Sequence, residues 1–207
     1  MTQTNLIVTC EPDSTSLGSR IAQMVATTLE ARGARVIVDD LAALRFDPVI
    51  SRNELESYLD RDIPGDITPL VQHLRSADSL VFIFPVWMFH LPAQMKGYFD
   101  RVWRPHVSFA LAATRTVPLL TRIRHLTVVA THGKTKSKTE ADHEGTVSFF
   151  SSSLARMLPS LETNVRFDVY GLDDAAPDRI EAEVERIRDY FASAEAGPGS
   201  ARPAQGN

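Results

Sequence analysis

Three segments of the chain combine residue types that could together bind a phosphorylated aromatic molecule. The first, CEPDSTSLGS at residues 10–19, places several hydroxyl side chains ahead of a helical pattern. Hydroxyls and free amides at a helix N-terminus can bind phosphate. Helix capping is the simpler alternative, because one Ser or Thr is enough for it. The segment is not a P-loop, since no lysine follows a glycine-rich turn.

The second segment, PVWMFHLP at residues 85–92, is apolar and aromatic. The prolines at its two ends predict a loop rather than a strand or helix. Trp87, Met88 and Phe89 could pack against a flat heteroaromatic ring while backbone amides bind the polar edge of that ring. The alternative is that these side chains fill the protein's own core.

The third segment, THGKTK at residues 131–136, supplies small residues, backbone donors and the cation of Lys134. A cation beside the carbonyl edge of a flavin would stabilise negative charge there. An ordinary polar turn is the alternative. A phosphate-binding turn, an aromatic wall and a polar edge together predict a flavin site.

The hydrophobic pattern predicts the elements that would carry these segments. Short apolar runs typical of buried strands alternate with helical patterns, and this alternation predicts an α/β fold with a parallel sheet. The first strand is not followed by G-x-G-x-x-G, which favours the flavodoxin-like, doubly wound, five-stranded order 2-1-3-4-5 over a Rossmann order. The three segments would then open on the carboxyl edge of the sheet, where such folds bind ligands. The predicted strands cover residues 6–8, 36–38, 80–84, 126–130 and 165–170.

Composition sets the class of protein and its surroundings. The 207 residues predict a single domain over residues 1–194, followed by a disordered tail at 195–207 that is rich in Gly, Pro, Ala and Ser. A net charge of -4 argues against nucleic acid or an anionic membrane as partner. The single cysteine fits a cytoplasmic location. The longest apolar run, 80–89, is about half a membrane span, so no integral membrane segment is expected. No metal site is predicted.

Three motifs carry a resemblance to a known family. FDPVISR (46–52), FPVWMFHLPAQMKGYFDRVW (84–103) and VVATHGK (128–134) resemble the NAD(P)H:quinone reductase (DT-diaphorase) family of flavodoxin-like flavoproteins, over about residues 5–134. The resemblance implies a homodimer with active sites at the subunit interface. It also implies a flavin, with FAD favoured over FMN, and two-electron reduction of a quinone or another small aromatic acceptor by NADH or NADPH.

The resemblance also implies which residues contact the flavin. Cys10 stands where the family usually has a histidine at the pyrophosphate, and Lys134 replaces the second of two glycines. The implied contacts are Ser16, Leu17 and Gly18 at the phosphates, Pro85, Val86, Trp87, Met88 and Phe89 along the isoalloxazine, and Thr131, His132, Gly133 and Lys134 at the pyrimidine edge. Ser14, for its hydroxyl, and Cys10, for its position, complete the predicted flavin-binding set.

The catalytic hypothesis is ping-pong hydride transfer through the bound flavin. The family's relay tyrosine is replaced by Thr139, so His143 or His132 is predicted to stabilise charge or protons on the reduced flavin. A flavodoxin-type electron carrier and a flavin-binding regulatory subunit of a transporter are the alternatives. A phospho-receiver domain is excluded, because Phe84-Pro85 stands where its phosphoacceptor aspartate would be.

Overall fold

A computed structural model describes residues 2–139, 144–173 and 176–193. In chain order its strands are β1 (Thr4–Thr9), β2 (Arg35–Asp40), β3 (Ser79–Pro85), β4 (Phe109–Leu111), β5 (Thr116–Pro118), β6 (His125–His132) and β7 (Thr163–Tyr170). Five of these form a parallel sheet in the order β2-β1-β3-β6-β7, whereas β4 and β5 pair as a small antiparallel hairpin. The predicted order 2-1-3-4-5 is confirmed, because β6 and β7 are the fourth and fifth strands of the large sheet.

Helices cover both faces of this sheet. They are α1 (Leu17–Ala31), α2 (Arg52–Glu56), α3 (Thr68–Ser76), α4 (Ala93–Arg101), α5 (Lys136–Thr139), α6 (Glu144–Ser148) and α7 (Pro177–Ala192). Helix α1 begins at the Ser16 cap and gives way to Gly33, whose φ of 79° suits a residue without a Cβ. In the described part of the chain, every helix is too short or too polar to cross a membrane.

The central strands are buried on both faces, which explains their continuous apolar runs. In β3, Leu80, Phe82 and Phe84 face one core, and Val81 and Ile83 face the other. The first core lies under α3 and α4, and the second lies under α1 and α7. The alternation of side chains along a strand therefore divides one apolar run between two layers.

The structure differs from the sequence prediction in two regions. The apolar spacing of residues 147–158 predicts one continuous helix, whereas the structure has α6, a π-helical turn (Phe149–Leu154) and a 3₁₀ turn (Ala155–Met157). The β4–β5 hairpin was not predicted, because its strands are only three residues long. Trp103, Val107 and Leu120, which flank it, are buried in the chain's own core. The predicted tail at 195–207 lies outside the described residues, and the domain boundary stays a prediction.

The FDPVISR motif is held against α4, the helix that follows the aromatic loop. Pro48 packs so closely on Gly97 that a Cβ at residue 97 would lie 2.4 Å from the Pro48 Cα. Gln94 Nε2 donates to the carbonyl of Phe46 over 3.2 Å, and Arg101 donates to the carbonyl of Asp47 over 2.7 Å. The motifs at 46–52 and 84–103, which both carry the family resemblance, thus pack against each other beside the carboxyl edge of the sheet.

Candidate functional site

The three segments singled out in the sequence meet at the carboxyl edge of the sheet. Strand β3 lies between β1 and β6, with Thr9 opposite Ile83 and Pro85 opposite Thr131. The pairing continues one residue past β3, since the amide of Val86 donates to the carbonyl of Thr131 over 2.8 Å. The loops that follow β1, β3 and β6 are neighbours for this reason.

The first loop caps α1 with Ser16. Its hydroxyl oxygen accepts the Ser19 amide over 3.1 Å, and its proton is donated to Glu11 Oε2 over 2.9 Å. Asp13 closes the turn by accepting the amide of Thr15 over 2.8 Å. The capping alternative is therefore present in the structure. Phosphate binding by Ser14, Ser16, Leu17 and Gly18 stays a prediction.

Glu11 is the residue of this loop that the sequence analysis missed. Its side chain is only 7% exposed and lies over Gly18, where a Cβ would be 1.8 Å from Glu11 Oε1. Burial raises the pKa of Glu11, and the negative charge of Asp40 adds to this, while the hydrogen bond from Ser16 opposes it. The carboxyl group thus lies at the helix N-terminus that was predicted to hold a phosphate. The signal was an acidic residue two positions after the end of β1 and ahead of the hydroxyl-rich turn.

Cys10 lies beneath this loop in the core. Burial raises the pKa of its thiol to about 12, and the charge of Glu11 contributes in the same direction. The side chain is therefore a neutral, apolar packing group at physiological pH. Its predicted contact with a flavin is not tested by this placement.

The second loop is a tight hairpin turn that presents its large side chains to solvent. Trp87 and His90 exchange backbone hydrogen bonds of 3.1 and 3.0 Å across the turn. Met88 and Phe89 between them have φ values of 47° and 63°, the conformation of a type I′ turn that usually requires Asn-Gly. Trp87, Met88 and Phe89 are 55%, 87% and 52% exposed, so they do not fill the core of the chain. A strained turn that exposes apolar side chains is typical of a binding surface.

The backbone strain at Phe89 yields a stability prediction. We expect the Phe89→Gly variant to be about 1 kcal/mol more stable to unfolding than Phe89→Ala. The reason is that glycine adopts a positive φ without cost, whereas alanine does not. Both variants lose the ring, so the comparison isolates the backbone, and urea denaturation measures it. If Phe89→Ala were instead more stable than Phe89→Gly, the backbone at residue 89 would not have a positive φ in solution.

The third loop begins with a buried histidine. The ring of His132 stacks on Tyr170 with centroids 4.5 Å apart, and its Nε2 lies 2.8 Å from Asp168 Oδ1. Burial alone would raise the pKa of Asp168, but hydrogen bonds from His132 and Arg166 outweigh it and lower the pKa to about 2. The ring of His132 thus contacts β7 below the sheet edge. Its predicted catalytic role is untested, and His143 lies outside the described residues.

Gly133 and Lys134 join this loop to the turn that follows β7. Lys134 Nζ lies 3.2 Å from Asp173 Oδ2, and both side chains are more than half exposed. A Cβ at residue 133 would lie 2.8 Å from Asp173 Oδ2, so glycine permits the close approach. Because an exposed ion pair is weak, it does not fix Lys134 away from the sheet edge. The assignment of both residues to a flavin edge stays a prediction.

Comparisons with known proteins agree with this architecture. A family model described as flavodoxin-like fold matches residues 3–191. An uncharacterized NAD(P)H oxidoreductase of Haemophilus influenzae is 33% identical over 99 residues, which are 47% of this chain and 49% of that protein. NAD(P)H dehydrogenase (quinone) 1 of Cavia porcellus is 29% identical over 125 residues, 52% of this chain and 46% of that protein. The chain spans about half the length of these curated relatives.

A solved structure extends the comparison to nearly the whole chain. An FMN-dependent NADH-azoreductase from Bacillus anthracis strain Ames Ancestor, in complex with FMN, aligns with a TM-score of 0.72 and 16% identity. The alignment covers 92% of this chain and 98% of that one. At this identity the likeness concerns the fold alone.

Proposed function

The chain belongs to the flavodoxin-like fold family, and from this we propose that it is a flavin-dependent NAD(P)H oxidoreductase that reduces quinones or similar acceptors by two electrons. The observation that carries the proposal is the exposed turn of Trp87, Met88 and Phe89, which lies at the same edge of the sheet as the N-terminus of α1. The names of the H. influenzae and C. porcellus relatives, an NAD(P)H oxidoreductase and a quinone dehydrogenase, support the reaction class.

The described residues fit a flavin in most respects. Ser16 and the backbone amides at the N-terminus of α1 offer donors for a phosphate, but the Glu11 carboxyl occupies the space above Gly18. The apolar side chains of Trp87 and Phe89 offer a flat wall for the isoalloxazine, and Thr131 and Gly133 bring backbone groups to the opposite edge. Among these residues, the Glu11 carboxyl is the group that opposes an anion. It must be neutral, or move, when a phosphate binds.

The chain's own residues would orient the reactants and hold protons. A bound flavin would supply the capacity to accept a hydride and pass it on. Trp87 and Phe89 would exclude water from the wall on which NAD(P)H and the acceptor stack. Asp168 is ionised at neutral pH and can only accept hydrogen bonds, so Nε2 of His132 must be its donor. This contact fixes the tautomer of His132 that carries a proton on Nε2, and it joins β6 to β7.

Several finer assignments belong to this proposal. FAD is favoured over FMN by the resemblance, whereas the B. anthracis structure contains FMN. A homodimer would cover the apolar turn at Trp87 and complete the site, and light scattering at micromolar concentration would detect it. Location in the cytoplasm rests on the single cysteine.

We expect the purified protein to bind one flavin per chain and to show ping-pong kinetics. NAD(P)H and the acceptor would occupy the same apolar wall in turn, so double-reciprocal plots should give parallel lines. The absorbance spectrum, with the released flavin identified by mass, measures the cofactor, and steady-state turnover measures the mechanism.

Two results would contradict this expectation. A colourless protein that takes up neither FMN nor FAD on reconstitution would exclude the flavin site. A flavin-loaded protein that NAD(P)H does not reduce would instead favour the electron carrier or the regulatory subunit.

A further inference from the structure

We propose that the Glu11 carboxyl competes with the flavin phosphate for the same position. The affinity of this site for FMN, relative to its affinity for riboflavin, therefore falls as the pH rises. The inference rests on the proposed flavin site and names the residue that tunes its preference for a phosphorylated cofactor. Riboflavin has the same ring as FMN but no phosphate. A comparison of the two affinities therefore separates binding at the aromatic wall from binding at the helix N-terminus.

The geometry places the Glu11 carboxyl where an anion would be bound. Oε2 accepts the hydroxyl proton of the Ser16 cap over 2.9 Å. Oε1 is buried and has no hydrogen-bond partner among the described residues, and it lies over Gly18 in the space that a Cβ would otherwise fill. A buried and unpartnered carboxylate oxygen is costly, so it marks a group that is protonated or that gives way when a better ligand arrives.

The surroundings of Glu11 favour its neutral form. Asp40 at the end of β2 faces it, and Asp13 follows it in the same loop. On the side of β1 lies the neutral thiol of Cys10, and on the side of α1 lies the Ser16 hydroxyl. In the part of the chain that the structure describes, no Lys or Arg is hydrogen-bonded to the Glu11 carboxyl. The partial positive charge at the α1 N-terminus then has to stabilise both the Glu11 carboxylate and a phosphate.

Protonation linkage gives the sign of the pH effect. Burial and Asp40 raise the pKa of Glu11, so below this raised pKa the side chain is neutral and can donate a hydrogen bond to phosphate oxygen. As the pH rises through that pKa, a carboxylate forms beside the phosphate and FMN binding weakens. A bound phosphate raises the pKa of Glu11 further. FMN binding should therefore be accompanied by proton uptake, whereas riboflavin binding should involve much less.

The test measures dissociation constants for FMN and riboflavin by quenching of flavin fluorescence, from about pH 5.5 to 8.5. The preference of the parent protein for FMN over riboflavin should fall with rising pH relative to that of Glu11→Gln, because both proteins experience the ionisation of the phosphate and only the parent has the carboxyl. In Glu11→Gln, which keeps the shape and removes the charge, FMN should bind at least about tenfold more tightly at pH 8, with riboflavin changed by less than about threefold. Glu30→Gln, at the exposed far end of α1, makes the same charge change and should leave both constants unaltered.

The outcomes separate this inference from the function on which it rests. If neither flavin binds either protein, the flavin site itself is wrong and the role of Glu11 fails with it. If both flavins bind, and Glu11→Gln leaves the FMN-to-riboflavin ratio at its parent value, the flavin site stands and the inference is overturned. Where Glu11→Gln fails to fold, Glu11→Ala is compared with the parent protein in the same way, and an FMN-to-riboflavin ratio with the same pH dependence in both proteins overturns the inference. Calorimetry in buffers of different ionisation enthalpy then measures the proton uptake directly.

Discussion

The Glu54→Ala variant is expected to lose about 3–5 kcal/mol of unfolding free energy, because it leaves buried arginine charge without its carboxylate. Glu54 Oε2 accepts from Arg101 Nε over 2.9 Å, and Oε1 lies 3.6 Å from a terminal nitrogen of Arg104. All three side chains are buried. Asp66 also pairs with Arg101, over 2.7 Å, but its side chain is more than half exposed, so it compensates only in part.

This cluster matters to the site because it holds the 46–66 segment against α4. Arg104 donates to the carbonyls of Ser57 and Tyr58 over 3.0 and 3.2 Å, and Arg101 donates to that of Asp47. Loss of Glu54 should therefore loosen the segment before the sheet unfolds. Proteolysis within residues 47–62 would detect that loosening at concentrations of urea too low for global unfolding.

Glu56→Ala is the matched control for this prediction. Glu56 pairs with Arg52 over 3.3 Å in the same helix, but both side chains are largely exposed. Removing that pair should cost less than about 1 kcal/mol. Equal midpoints of urea denaturation for the Glu54 and Glu56 variants would contradict the importance of the buried pair.

A negative charge added at Ser16 is expected to lower the affinity for FMN by about two orders of magnitude. Aspartate caps a helix as well as serine does, so Ser16→Asp should leave α1 formed. A unit charge about 5 Å from a phosphate, at an effective dielectric constant of about 20, changes the binding free energy by about 3 kcal/mol. This corresponds to a dissociation constant for FMN that is roughly 100-fold larger. The effect has the opposite sign to that expected for Glu11→Gln.

Gln23→Asp provides the control for the added charge. Gln23 is exposed on α1, beyond its first turn, so its substitution changes the net charge without facing the cap. FMN titration of the two variants, with circular dichroism to verify the fold, measures the difference. Unaltered FMN affinity in Ser16→Asp would place the phosphate elsewhere in the protein.

The sequence alone determined the sheet and the position of the three loops. The run from Leu80 to Phe84 is apolar at every residue because both faces of β3 are buried. Such a run can be recognised in the sequence without the structure. The strand order followed from the strand–helix alternation and the missing glycine fingerprint. Once the strands are parallel, the loops after β1, β3 and β6 must open on one edge, so the segments that carry Ser16, Trp87 and Thr131 share that edge.

How individual side chains pair, and which ones are exposed, depends on contacts between segments that are far apart in the sequence. Glu11 looks like a solvated loop residue until the closing of the loop over Gly18 buries it. Glu54 and Arg101 are 47 residues apart in sequence, and no local pattern encodes their contact. The same holds for Met88 and Phe89, whose positive φ values are imposed by hydrogen bonds across the turn against their own preference. Periodicity records whether a position is buried on average, whereas pairing, strain and local charge depend on which distant segment packs against it.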